Sequence, residues 1–216
     1  MMIKEGTAQI LHTYCEKHPH IATIEAALLE SVEMLCGCFA NGGCLYICGN
    51  GGSCADADHI VGEFVKAFRM ARPLGTVMQD KLCAQGAEGT VLAKKLQGGL
   101  PAFNLGAQTA LMTAMINDVG GDYIFAQQVS AYGRQGDVFL GISTSGNSKD
   151  VRYAGAVARA KGMKTLGLTG KTGGKMEQEC DVVLHAQADS TEDVQDQHST
   201  IYHAICAAVE YEFWGA

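Results

Sequence analysis

The sequence predicts an α/β fold: a mainly parallel sheet covered by helices on both faces. Three observations carry that expectation. Short runs that are apolar throughout, such as CLYICG (44–49) and DVFLGIS (137–143), suit strands buried on both faces. Between them lie longer stretches with apolar residues at helical spacing, so strand and helix alternate along the chain. Finally, 216 residues that are 47% hydrophobic and only 18% charged suffice for one domain, 1–216, with a sizeable core.

Taken in order, residues 3–17 and 20–41 read as an N-terminal helical pair, parted by His18-Pro19-His20 and stopped by Asn41-Gly42-Gly43. This leading segment, 1–42, is expected to pack between subunits. Buried strands follow at 44–49, 102–106 (AFNLG), 137–143, 164–169 (KTLGLT) and 181–186 (DVVLHA). Helices fill the gaps at 53–68, 107–116 with 122–131, 148–161, 173–179 and 191–213. Residues 74–100 break the rhythm. They read as one or two helices, about 78–84 and 87–97, laid over the edge of the site. In an open parallel sheet, ligands bind outside the carboxyl ends of the strands at the switch point. The Gly/Ser loops after the first and third strands fall at that edge.

Composition narrows the function. A formal charge of −7 and a pI near 5.4 argue against a nucleic-acid binder. No apolar run reaches the length of a membrane span, and the first residues, MMIKEGTAQILHTYCEK, lack an export signal. A cytoplasmic protein is expected. The nine cysteines are odd in number and sit mostly in apolar runs, which reads as buried reduced thiols. Cys36-Gly-Cys38 lacks zinc-site spacing.

Three stretches can carry chemistry. The loop Cys48-Gly49-Asn50-Gly51-Gly52-Ser53 joins a strand to a helix, and its glycines let backbone N–H groups approach a ligand. On the following helix His59 and Glu63 are four residues apart and share a face. The loop Gly141-Ile142-Ser143-Thr144-Ser145-Gly146-Asn147-Ser148 offers four hydroxyls at a helix start, which suits a phosphate monoester. On the last helix Gln195 and His203 lie eight apart, about 80° around and two turns along, with His198 between them. A lone helical histidine is more often a packing residue than a ligand.

These pieces, in this order, resemble the SIS-domain sugar-phosphate isomerases, and within them the phosphoheptose isomerases. The matching residues are CGNGGS (48–53), His59 with Glu63, Asn117-Asp118, Arg134-Gln135-Gly136-Asp137-Val138, LGISTSGNS (140–148), LTGKTGGKM (168–176), and Gln195 with His203. The resemblance implies a flavodoxin-like five-stranded parallel sheet and a homotetramer with sites at subunit interfaces. It implies aldose–ketose isomerisation through an enediol, with Glu63 as general base and His203 as general acid on opposite sides of the substrate. The substrate implied is sedoheptulose 7-phosphate, giving D-glycero-D-manno-heptose 7-phosphate or the related heptose 7-phosphate. Ser143, Thr144, Ser145 and Ser148 would hold the phosphate. Asn50, Gly51, Gly52, Ser53, Asn117 and Asp118 would line the sugar, joined by Gln195. His59, Glu63, Gln195 and His203 would bind one Zn2+ per subunit, a chemically reasonable donor set. The alternative is a non-catalytic SIS module that binds a phosphosugar or a protein partner in replication or transcription control. Relatives of that kind lack the four residues that this chain keeps.

Two departures stand out. The family passes quickly from an Arg-Pro pair, here Arg72-Pro73, to its second strand, whereas this chain inserts 74–100. A basic residue that the family places four after its catalytic Glu is Ala67 here, next to Lys66. Both bear on the choice of sugar more than on the reaction type.

Overall fold

The computed structural model describes residues 3–216. Five strands, β1 (Leu45–Cys48), β2 (Ala102–Asn104), β3 (Val138–Ser143), β4 (Lys164–Thr169) and β5 (Val182–His185), form one sheet in the order β2-β1-β3-β4-β5. Every pairing is parallel. The direction of winding reverses between β1 and β3, so their adjacent carboxyl ends form the switch point. The two Gly/Ser loops leave from there.

Alternation along β1 divides the core. Leu45 and Ile47 pack into one apolar layer with Leu140, Ile142, Leu166 and Leu168, while Tyr46 and Cys48 point into the other with Phe139. The first layer is roofed by α2 (Glu25–Ala40), α3 (Gly52–Val65) and α10 (Thr191–Trp214). The second is roofed by α7 (Ile124–Tyr132) and α8 (Lys149–Ala160), through Phe125, Val129, Val151 and Ala154. Each such side chain taken fully out of water contributes roughly 1.5–3 kcal/mol.

The N-terminal pair differs from expectation where its second helix begins. Pro19 opens a 3-10 turn, Pro19–Ile24, so α2 starts only at Glu25. And α1 (Glu5–Lys17) lies against the chain's own last helix: Gly6 faces the Tyr211 ring, and Thr7 Oγ1 donates to Glu212 at 2.6 Å.

The segment after Pro73 forms a helical hairpin, α4 (Thr76–Cys83) and α5 (Ala87–Lys95). The crossing is close because Gly89 has no Cβ to strike the Leu82 carbonyl. The two helices pack chiefly against each other, and Gly89 is their only buried residue. They therefore form an arm with few contacts to the body of this chain. Only the root of the arm is tied down, by the Pro73–Gln97 bridge, by Gly98 N–H to Arg72 O at 2.7 Å and by Leu100 N–H to Phe64 O at 2.9 Å. The remaining helices are α6 (Thr109–Asp118), which buries none of its residues, and the single turn α9 (Met176–Glu179).

Candidate active site

The turn into α3 explains its glycines. Gly51 has φ +55°, and a Cβ on Gly49 would lie 2.7 Å from that of Ser53. Gly52 has no side chain where the Gln195 amide rests. From that point α3 and α10 run side by side in the same direction. Gln195 meets Gly52 at one end, and two turns later Tyr202 and His203 meet His59.

The polar cluster forms at this second meeting point. His59 Nε2 lies 3.2 Å from Glu63 Oε1 and 3.4 Å from His203 Nε2. One donor atom from each of the three residues falls within 4.8 Å of the others. Glu63 is only 8% exposed, yet its Oε2 has no hydrogen-bond partner, and the nearest cation is Lys66 Nζ at 3.7 Å. Burial lowers the pKa of His203, helped by the neighbouring His59 and opposed by Glu63. Atoms this close together leave no space for a sugar between Glu63 and His203. Where an acid and a base on opposite sides of a substrate are expected from sequence, the Glu63 and His203 side chains lie side by side.

Behind the cluster, Tyr202 Oη lies 3.0 Å from His59 Nδ1 and 3.4 Å from Asp56 Oδ1. Burial raises the pKa of both Tyr202 and Asp56. A hydroxyl that donates to Asp56 can accept from His59 Nδ1–H, which leaves the Nε2 lone pair of His59 facing Glu63 and His203. Neither Tyr202 nor Asp56 is among the residues expected from sequence. Asp56 stands three before His59, on the same helix face, which is a readable signal. Tyr202 carries none.

At the end of β3, Ser143 is 3% exposed and its Oγ pairs with Ser148 Oγ at 2.9 Å. These two hydroxyls staple the loop, while Thr144 and Ser145 line a concavity of about 260 Å3 with Gly170, Lys171, Thr172 and the first turn of α10. Lys171 adds a cation to this lining, paired with Asp189 Oδ1 at 3.6 Å, which lines it too. Gly146 takes φ +63°, and a Cβ there would strike the Gly173 carbonyl. Gly146→Ala is expected to cost about 1–3 kcal/mol of loop strain and to raise KM for a phosphorylated substrate; an unchanged KM would count against a phosphate here.

The other expected residues are distributed as follows. Asn50 donates its amide to the Asp150 carboxylate at 3.1 and 3.0 Å, tying the β1 loop to α8. Gln195 stays at Gly52, apart from the compact group. Asn117 and Asp118 are exposed at the end of α6 and bond to each other at 2.8 Å. His198 points into the core, fully buried. A larger concavity, about 660 Å3, opens at the β2 edge beside Phe103, Tyr46 and Tyr132, and none of His59, Glu63 and His203 lines it.

Comparisons with known proteins agree with this geometry. The SIS domain family matches residues 102–209, and a second SIS domain family matches 16–95. Phosphoheptose isomerase of Aneurinibacillus thermoaerophilus is 38% identical over 187 residues, covering 87% of this chain and 80% of the relative. That of Trichlorobacter lovleyi is 39% identical over 194 residues, covering 90% and 86%. Among solved structures, phosphoheptose isomerase GmhA from Neisseria gonorrhoeae superposes with a TM-score of 0.70 at 31% identity, covering 95% of this chain and 94% of that one.

Proposed function

The chain belongs to the phosphoheptose isomerase family of SIS-domain proteins, and on that premise we propose that Glu63 and His203 move the protons of its reaction. The protein is an aldose–ketose isomerase acting on a sugar phosphate, sedoheptulose 7-phosphate, to give D-glycero-D-manno-heptose 7-phosphate or the related heptose 7-phosphate. The observation that carries the assignment of roles is the convergence of His59, Glu63 and His203 beside the switch point, with a buried carboxylate oxygen on Glu63 that has no hydrogen-bond partner.

Isomerisation moves one proton between neighbouring carbons. Glu63 takes the proton from C1 of the ketose, the C1–H electrons form the C1=C2 bond, and the carbonyl oxygen on C2 gains a proton. The resulting enediol loses the proton on O1 and regains one on C2, leaving the aldose. His203 serves the oxygens and Glu63 the carbons, and their closeness suits a cis enediol edge. Thr144 and Ser145, with the first turn of α10 and Lys171, hold the phosphate; Asn50 to Ser53 line the chain of hydroxyls.

Zinc fits this donor set. Two imidazoles and a carboxylate converge, Tyr202 orients His59, and Glu63 keeps a free oxygen. His59, Glu63 and His203 would hold one Zn2+, and Gln195 would complete the set by turning from Gly52 towards the histidines. Such an ion would supply Lewis-acid polarisation of the carbonyl. A carboxylate that gives one oxygen to a metal can still use the other as a base.

The exposed α6, with Ile116 and Val119 53% and 58% accessible, supports assembly as a homotetramer in which that face of a neighbour brings Asn117 and Asp118 to the sugar. All nine cysteines are unpaired, and burial pushes Cys36 and Cys38 up to about 12, so these thiols are unreactive. That suits a reducing cytoplasm. Among the described residues no helix is long and apolar enough to cross a membrane.

The test is proton exchange from deuterated water into sedoheptulose 7-phosphate, followed with and without a chelator. Deuterium should appear at the reacting carbon, and chelation should abolish it until Zn2+ is restored. No exchange by the untreated protein would sink the catalytic reading; exchange indifferent to thorough chelation would sink the metal.

A further inference from the structure

Below the catalytic cluster, the segment after α3 is joined to α10 by a buried ion pair that the chemistry does not require. Arg72 and Glu210 have side chains with no exposure, and Arg72 Nε donates to Glu210 Oε1 at 2.7 Å. The other two guanidinium nitrogens reach back to α3: Nη2 donates to the Glu63 carbonyl at 2.7 Å and Nη1 to the Phe64 carbonyl at 2.8 Å. Glu210 in turn accepts the backbone N–H groups of Phe68 and Arg69, both at 2.8 Å. Phe68 so held lays its ring on the His203 imidazole, centroids 5.6 Å apart and planes 19° from parallel. The Trp214 ring closes the clamp, 4.8 Å from the guanidinium carbon.

We propose that Arg72 is a positioning residue of the active site. It pins the carbonyl of Glu63 to α10 and, through Glu210, sets the Phe68 ring behind His203, so one guanidinium fixes both members of the acid/base pair. This rests on the assignment of those two residues given above. A buried ion pair is by itself weak support for stability, because an apolar replacement often does as well. What distinguishes this one is where its hydrogen bonds go. Each ends on the backbone of a catalytic residue or of the segment that packs against one. The arm is rooted on the same clamp, since Gly98 N–H bonds the Arg72 carbonyl and Gly98 packs on Trp214.

Three variants separate positioning from mere stability. Arg72→Lys keeps a charge for Glu210 but cannot span it and two carbonyls at once. Phe68→Leu removes the ring from His203 and leaves the ion pair. Val129→Ala makes a cavity in the core under the opposite face of the sheet and serves as the control. For each, melting temperature, Zn2+ affinity by chelator competition, kcat and KM are measured on folded protein. Arg72→Lys and Phe68→Leu are expected to weaken Zn2+ binding and lower kcat by roughly 10–100-fold, the range typical of residues that orient metal ligands, with KM little changed. Val129→Ala should lower the melting temperature and leave both quantities alone. Affinity and kcat within about twofold of wild type in the first two variants, or an equal loss in Val129→Ala, would overturn the proposal. Should Arg72→Lys not fold, Phe68→Leu decides. Should the wild type bind no Zn2+, the metal reading fails separately, and kcat judges the clamp.

Discussion

Glu63→Gln is expected to abolish isomerisation while leaving the fold intact. The amide is nearly isosteric with the carboxylate and enters a site where one oxygen faces His59 at 3.2 Å and the other has no hydrogen-bond partner. It cannot take a proton from carbon. Loss of a positioned general base slows a reaction by roughly two to four orders of magnitude. Glu63 is also a proposed metal donor, so turnover should fall by roughly three orders of magnitude or more, equivalent to about 4 kcal/mol of barrier. Deuterium exchange should fall in parallel, because the same step is lost. The melting temperature should shift by no more than the few degrees that about 1 kcal/mol produces in a domain of this size. A variant that keeps a tenth of wild-type exchange would show that another group is the base, with Asp56, on the same helix, the next candidate to test.

Much of this site is readable without the fold, and the reason lies in how local each signal is. β4 runs from Lys164 to Thr169, as expected, because an apolar run between Gly162 and Gly170 leaves little choice. His59 and Glu63 share a face by helical geometry alone. The end of α3 is different. The periodicity continues to 68, yet the helix stops at Val65, where Arg72 and Leu100 take the carbonyls of its last turn. Those partners come from beyond the helix, so no window over 53–68 contains them. The same applies to the relation between Glu63 and His203. Spacing places each on its own helix, but only the packing of α3 against α10 brings the two side chains together. Glu210 does carry a local signal: an acid directly after the apolar stretch Ala204–Val209 of α10 asks for a partner if it is buried. Nothing near Arg72 in the chain marks it as that partner, and by sequence it is only the landmark before the insertion.

His198 yields the second large effect, one of stability. Helical spacing alone cannot separate it from His203 five residues on, and the structure gives it a different task. It is fully buried, its Nε2–H donates to the Thr169 carbonyl at 3.1 Å, and its Nδ1 has no partner. Burial pushes its pKa down to about 4 from 6.5, against a weaker pull upward from the Thr169 carbonyl. The unfolded chain therefore binds this proton more readily, and stability rises with pH through the window between those values. The contribution is fully present above pH 6.5 and is lost as pH falls through about 4. At about 1.36 kcal/mol per pH unit this amounts to about 3 kcal/mol, a large share of the roughly 5–15 kcal/mol that holds a typical domain. Burial also lowers His203 and His20, so the wild-type curve alone cannot assign the slope. His198→Gln can, because its amide keeps a donor for Thr169 and does not titrate. Denaturant titrations at about pH 7 and pH 4.5 should show the wild type losing about 2–3 kcal/mol more than the variant. Equal losses would mean that His198 is reached by solvent and protonates without opening the core.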